Sequence, residues 1–257
     1  MEEDLAKLWN KLSLTKEERY ELVITEQDVQ VTTEKRKLCL VRKFIADKRV
    51  NRDAFKSTMM KWKATTSIRI FDVGENLFLF EFKSDKDMCK VWEGQPWMFD
   101  MNLLCLKMFD GLTPPAELSF THTNLWVQFY NLPFGCMNKK VGTRIGNSIG
   151  RVTQVDSNGN GNFWGRFIRV LIEVDLMKPI ARGKMMDLFG QLTFVQFKCK
   201  RLPRLCFKYG VIKYAKGGCV GHSSLESTGM AKTKQYGSWL RASSSGPNFE
   251  FAHNLGN

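Results

Sequence analysis

Histidine is almost missing from this chain of 257 residues: only His122, His222 and His253 occur. Imidazole is the side chain that most readily moves protons or binds metal near neutral pH, so little hydrolytic chemistry can be built from so few. No nucleophile elbow, P-loop or paired-carboxylate motif is present either. Asp72, Asp110, Asp156 and Asp175 fall at expected strand ends, where solvated acids are common. Catalysis is therefore not expected. No run of about 18 apolar residues occurs, so no membrane-spanning helix is expected. The opening MEEDLAKLWN is acidic and amphipathic, unlike a secretory leader. The seven cysteines are odd in number and scattered. They make no disulfide framework, and free thiols in a reducing, intracellular setting are expected. Most of Cys39, Cys89, Cys105 and Cys136 lie in apolar strings and read as small core residues.

Acidic residues are scarce at the carboxyl end. Residues 1–30 hold eight acids and four bases, whereas residues 198–257 hold ten Lys or Arg against Glu226 and Glu250 alone. The net charge is +13. A basic stretch beyond a folded body commonly contacts phosphates, although it can also serve only to keep a chain soluble.

The length suits one or two domains. Leu5, Leu8, Trp9 and Leu12 repeat at helical spacing, and Thr15 with Glu18 forms a capping-box pattern. A first α+β unit then spans residues 36–112 in the order β-α-β-β-α-β. It has a strand over 38–45 and a helix from Asn51 carrying Phe55, Met59 and Trp62. A hairpin follows around Gly74, Glu75 and Asn76, then a helix capped by Ser84 and a last strand over 101–109. In the hairpin's second arm Phe78, Phe80 and Phe82 share one face. Pro114-Pro115 breaks the chain. A second unit over 120–200 starts with a strand at 125–132 and a helix at 138–149. Strands follow near 151–156 and 166–175, joined by the turn-forming run 157–162. Its final strand is 191–200, and in place of a second helix it has only a short turn near 180–188. The fold class expected is α+β, two small units, the first of ferredoxin or RNA-recognition-motif type and the second resembling half or more of another α+β module. Before them lies an N-terminal helical segment (1–30). After them come a degenerate metal module (201–221) and a disordered basic tail (222–257).

That module reads CFKYGVIKYAKGGC. Cys206 and Cys219 stand at the outer positions of the zinc-knuckle spacing C-x2-C-x4-H-x4-C, but Tyr209 and Tyr214 fill the two inner ones. A neutral phenol does not replace thiolate or imidazole in a structural zinc site. No cofactor is expected, and residues 206–219 should be loose without zinc; the alternative is an ion gathered by Cys199, Cys206, Cys219 and His222, a spacing that matches no knuckle.

Several strings taken in order resemble a large plant family: ENLFLFEF (75–82), WEGQPWMF (92–99), LWVQFYNLP (125–133), RIGNSIGRVTQVD (144–156), GRFIRVLIEVDLMKPI (165–180), RLPRLCFKYG (201–210) and QYGSWLRA (235–242). Its members pair a domain of unknown function with a C-terminal CCHC-type zinc knuckle, and many are Gag-like products of LINE-type retrotransposons. The resemblance implies nucleic-acid binding through the knuckle. Only Cys206 and Cys219 match that family's metal ligands here.

The recognition-motif comparison places Leu77 and Leu79, not aromatics, at the base-stacking positions of the first unit. In the second unit Trp126 and Tyr130 alternate away from Leu125, Val127 and Phe129, with Arg166 and Arg169 nearby. They could stack bases, but packing under a helix or against the first unit is the simpler expectation. The candidate nucleic-acid-binding set is therefore Lys198, Lys200, Arg201, Arg204, Phe207, Lys208, Tyr209, Lys213, Tyr214 and Lys216, cations interleaved with rings. The partner expected is single-stranded RNA or DNA, with homo-oligomers allowed and the nucleus favoured over the cytoplasm. The alternatives are a protein-interaction or self-assembly module, and a relic of a transposable element.

Overall fold

The structure is a computed structural model, and it describes residues 13, 15–25, 27–29, 38–46, 49–60, 68–156, 165–212 and 235–242. The segment with Leu5, Leu8, Trp9 and Leu12, the 157–162 run, and Lys213, Tyr214, Lys216, Cys219 and His222 lie outside the described residues. At the amino end Glu18 accepts the Thr15 N–H at 2.7 Å and donates its own to Thr15 Oγ1 at 3.3 Å, the reciprocal capping box.

Three phenylalanines at alternate positions of one strand decide how the first unit closes. Strand β3 (Leu77–Glu81) sends Phe78 and Phe80 to one face, and Phe82 follows them. Strand β1 (Cys39–Ile45) adds Leu40 and Phe44 to that face. Helices α1 (Arg52–Met60) and α2 (Asp85–Glu93) cover it with Phe55, Met59, Met88 and Val91. The helices start where short polar side chains satisfy orphan amides. Asn51 Oδ1 accepts the Ala54 N–H at 3.0 Å, and Ser84 Oγ accepts the Asp87 N–H at 3.2 Å. Strand β2 (Arg69–Gly74) pairs with β3; β4 (Trp97–Phe99) and β5 (Asn102–Met108) form a hairpin. All pairings are antiparallel, in the order β2-β3-β1-β5-β4.

The second unit repeats that order. Strands β6 (His122–Tyr130), β7 (Arg151–Asp156), β8 (Ile168–Asp175), β9 (Gly183–Leu188) and β10 (Gln191–Lys200) line up as β7-β8-β6-β10-β9. The mixed α+β architecture expected from the sequence is therefore present, with two five-stranded antiparallel sheets. Two strands were not expected. β4 is only three residues long, and β9, GKMMDL, contains no β-branched residue to announce it. The region read as a short turn near 180–188 is largely β9.

Helix α3 (Lys139–Asn147), capped by Asn138, lies against β7 and β8 through Gly142 and Gly146, which meet Ile168, Val170, Val152 and Ile172. No second helix covers the neighbouring β6 and β10 among the described residues. Instead Leu176, Ile180, Leu202, Ile212 and Leu240 pack into the core with Leu125, Val127, Val195, Phe197 and Cys199. The same core takes in Val41, Ile45, Leu77, Leu103 and Cys105 from the helix-free face of the first sheet. That face, the base-stacking face in a recognition motif, is thus sealed against the second unit.

Two expectations for the carboxyl end need correction. Residues 206–212 are not loose: Leu205 and Ile212 bridge, Cys206 N–H donates to Val211 O at 2.9 Å, and Gly210 N–H donates to Cys206 O at 2.7 Å. Residues 235–242 do not belong to a disordered tail. They form a strap with a 3₁₀ turn (Ser238–Leu240); Leu240 is fully buried and Ala242 N–H donates to Cys199 O at 2.9 Å. The strap is held because apolar side chains return to a face that lacks a helix.

Candidate nucleic-acid interface

Strand alternation puts Trp126 and Tyr130 on the face of the second sheet opposite Leu125, Val127 and Phe129, hence opposite α3. They do not lie under α3; the other half of the simpler expectation, packing against the first unit, has a counterpart in this face, where Leu171 lines a cleft with Trp92, Gln95 and Leu106. The registers order this outer face into rows. Lys200, Trp126, Leu171 and Gln154 lie side by side, as do Lys198, Gln128, Arg169 and Asp156. The third row holds Gln196 and Tyr130, with the Phe167 ring 5.1 Å from that of Tyr130.

Each of these half-buried rings carries a cation. The Arg169 guanidinium lies 4.6 Å from the centre of the Trp126 ring, and Lys198 Nζ lies 4.9 Å from that of Tyr130. Arg169 is held in place by Asp156 at 2.5 Å, while its Nε is buried without a hydrogen-bond partner among the described residues. Tyr130 donates its hydroxyl to Gln128 Oε1 at 2.8 Å; burial raises its pKa and the nearby Arg166 opposes that rise. Burial, then the charges of Arg169 and Arg201, hold the Lys200 ammonium below the ordinary lysine range, with Asp156 acting the other way. Arg201 reaches toward the first unit, bonding Pro96 O at 3.3 Å and standing 5.7 Å from the Trp97 ring. A concentration of positive charge over flat rings suits phosphates and bases together.

The candidate set from the sequence is divided among three places. Lys198, Lys200 and Arg201 sit on or beside the outer face. Arg204 is elsewhere: its N–H donates to Met101 O at 3.2 Å, and its side chain lines a cleft with Arg49, Val50 and Asp100. Phe207, Lys208 and Tyr209 form the tip of the 205–212 hairpin, with Lys208 Nζ 4.7 Å from the Tyr209 ring. Lys213, Tyr214 and Lys216 lie outside the described residues. Leu171, Gln128 and Phe167 were missed by the sequence reading, because only the strand registers bring them beside Trp126 and Tyr130. Cys206 is half-buried at the base of the hairpin. Among the described residues no group of three or more His, Cys, Asp or Glu is placed to hold a metal. None of the described helices is long and apolar enough to cross a membrane.

Residues 32–113 match a domain of unknown function, DUF4283. That domain is often found in plant retrotransposon-related proteins. The match covers the strands and helices of the first unit, so it bears on the half of the fold that is sealed rather than on the outer face of the second sheet. No curated protein matches the chain.

Proposed function

We propose that this chain is a non-enzymatic, sequence-tolerant single-strand nucleic-acid-binding protein of LINE-type, Gag-like descent, with a C-terminal hairpin that derives from a zinc knuckle. It grips the strand with the outer face of its second sheet, assisted by the basic residues that follow. The observation that carries this reading is the pairing of rings with cations on one face: Trp126 with Arg169, and Tyr130 with Lys198, beside Lys200 and Arg201. The rings supply stacking without base preference, and the cations neutralise the backbone. The knuckle spacing at Cys206 and Cys219 and the match over residues 32–113 support the ancestry. The nucleus is the compartment in which such a protein would meet its ligand.

Titration of a labelled single strand at two salt concentrations tests the reading. With about four phosphates neutralised, a fourfold rise in salt lowers affinity roughly 50-fold. Absence of affinity in dilute buffer, or affinity indifferent to salt, would overturn it. Trp126→Ala should weaken binding on the full chain. A truncation before Lys198 is not a usable control, because β10 pairs with both β6 and β9.

A further inference from the structure

Beyond the last row of the outer face the sheet continues into a groove. Gln196, directly across from Tyr130, is paired on its other side with Gly183. The missing side chain at Gly183 lets the Phe194 ring lie over the backbone; a Cβ there would stand 2.3 Å from Phe194 Cζ. The opposite wall comes from the strap, as Tyr236 and Trp239, and from residues 179–182. The groove has a volume of about 660 Å³, within the usual range for a ligand site. Two of its rings remain open, Phe194 at 50% and Trp239 at 44% exposure.

We infer that this groove is a second base-stacking subsite, which takes a nucleobase further along the same strand held at Trp126 and Tyr130. The inference rests on the function proposed above and adds a place on the molecule and a length requirement to it. Three features favour a nucleobase over an apolar peptide. The groove adjoins the outer face through the Gln196–Tyr130 pair rather than standing apart from it. Its lining carries a cation, the exposed Arg182. Arg182 also stands 5.2 Å from the Tyr236 ring and ties the strap down through Gln235 O at 3.2 Å, so charge and ring are fixed together. Gln196 supplies an amide at the floor that can pair with a base edge. From Lys200 to Phe194 the strand covers about 20 Å at ~3.3 Å per residue, so a very short oligonucleotide cannot occupy both ends.

The test uses the full chain and labelled oligothymidylates of about 4 and about 12 nucleotides, bracketing the reach of one such binding face. The wild type should bind the longer one more tightly. Trp239→Ala and Phe194→Ala should each remove that gain, roughly 5- to 150-fold for one lost stack, and bind the short oligonucleotide as the wild type does. Both substitutions are at half-exposed rings, so the buried Leu240 anchor stays intact. Trp126→Ala should weaken both lengths. If the two groove variants match the wild type at both lengths, the subsite is refuted while the outer-face reading stands. If they change only self-association, the groove is a protein interface and the subsite is again refuted. If the wild type binds neither length, both readings fall together.

Discussion

Arg169 and Trp126 form a stack across neighbouring strands, guanidinium to ring at 4.6 Å, with Asp156 gripping the same guanidinium at 2.5 Å. The pair divides two kinds of work. Trp126 offers a flat apolar surface, and Arg169 offers charge. The two substitutions should therefore have different signatures. Trp126→Ala should weaken single-strand binding by about 1–3 kcal/mol with the salt dependence unchanged. Arg169→Ala should lower the slope of log affinity against log salt by roughly 0.7, the share of one phosphate on a single strand. Binding isotherms at several salt concentrations separate the two. An identical change in slope for both variants would contradict the assignment.

Lys200 gives a pH dependence whose sign is fixed by its surroundings. In the free protein burial, Arg169 and Arg201 hold its pKa below the ordinary value of 10.5. A bound phosphate adds negative charge and raises it. Binding then takes up a proton at any pH between the two values, and affinity falls as pH rises through the free-state pKa. Oligonucleotide titrations on the alkaline side of neutrality should show this decline. Lys200→Arg should flatten it, since guanidinium stays charged there. A decline that is the same in the arginine variant would assign the effect to another group.

Gly210 and Tyr236 tie the hairpin to the strap. Gly210 has φ of +72°, and a Cβ there would lie 2.2 Å from the Tyr236 ring. Gly210→Ala thus meets two penalties: about 1–2 kcal/mol for a left-handed non-glycine residue and a further ~1–3 kcal/mol for overpacking. The second vanishes when the ring is gone. Gly210→Ala combined with Tyr236→Ala should cost less than the sum of the single changes in urea denaturation. Full additivity would mean that the ring and the turn are not in contact in solution.

Much of the fold was legible because its signals are local. The Phe78, Phe80, Phe82 alternation, the caps at Asn51 and Ser84, and the outward phase of Trp126 and Tyr130 all follow from spacing within a few residues. What escaped depends on distant partners. Leu240 stands in the short string QYGSWLRA, which has no helical or strand period, and nothing near it announces that the face over β6 and β10 lacks a helix and takes it in. The dispersal of the cationic set has a similar cause. Lys200 and Arg204 are close in sequence, but the chain leaves the sheet at Arg201, where φ is +53°, and carries Arg204 toward Met101. Whether Trp126 lies under a helix could not be read from alternation, because alternation gives the phase of a strand and not which face its helix covers.

The 205–212 hairpin keeps the backbone of a ligand turn without the ligands. Cys206 and Tyr209 are the first and fourth residues of a turn closed by Gly210 N–H on Cys206 O at 2.7 Å, so a thiol at 209 would share the turn with the thiol at 206. Packing of Leu202 and Ile212 into the core holds this turn in place. Replacing Tyr209→Cys and Tyr214→His completes the CCHC spacing with Cys219. The double variant should bind one zinc per chain, and chelation should then lower its thermal stability, since binding energy of such a site is folding energy. The natural sequence should take up no stoichiometric zinc, because two phenols replace two of four ligands. Metal analysis of both proteins after dialysis checks this. Stoichiometric zinc in the natural chain, or none in the variant, would show that the turn does not carry the geometry its spacing suggests.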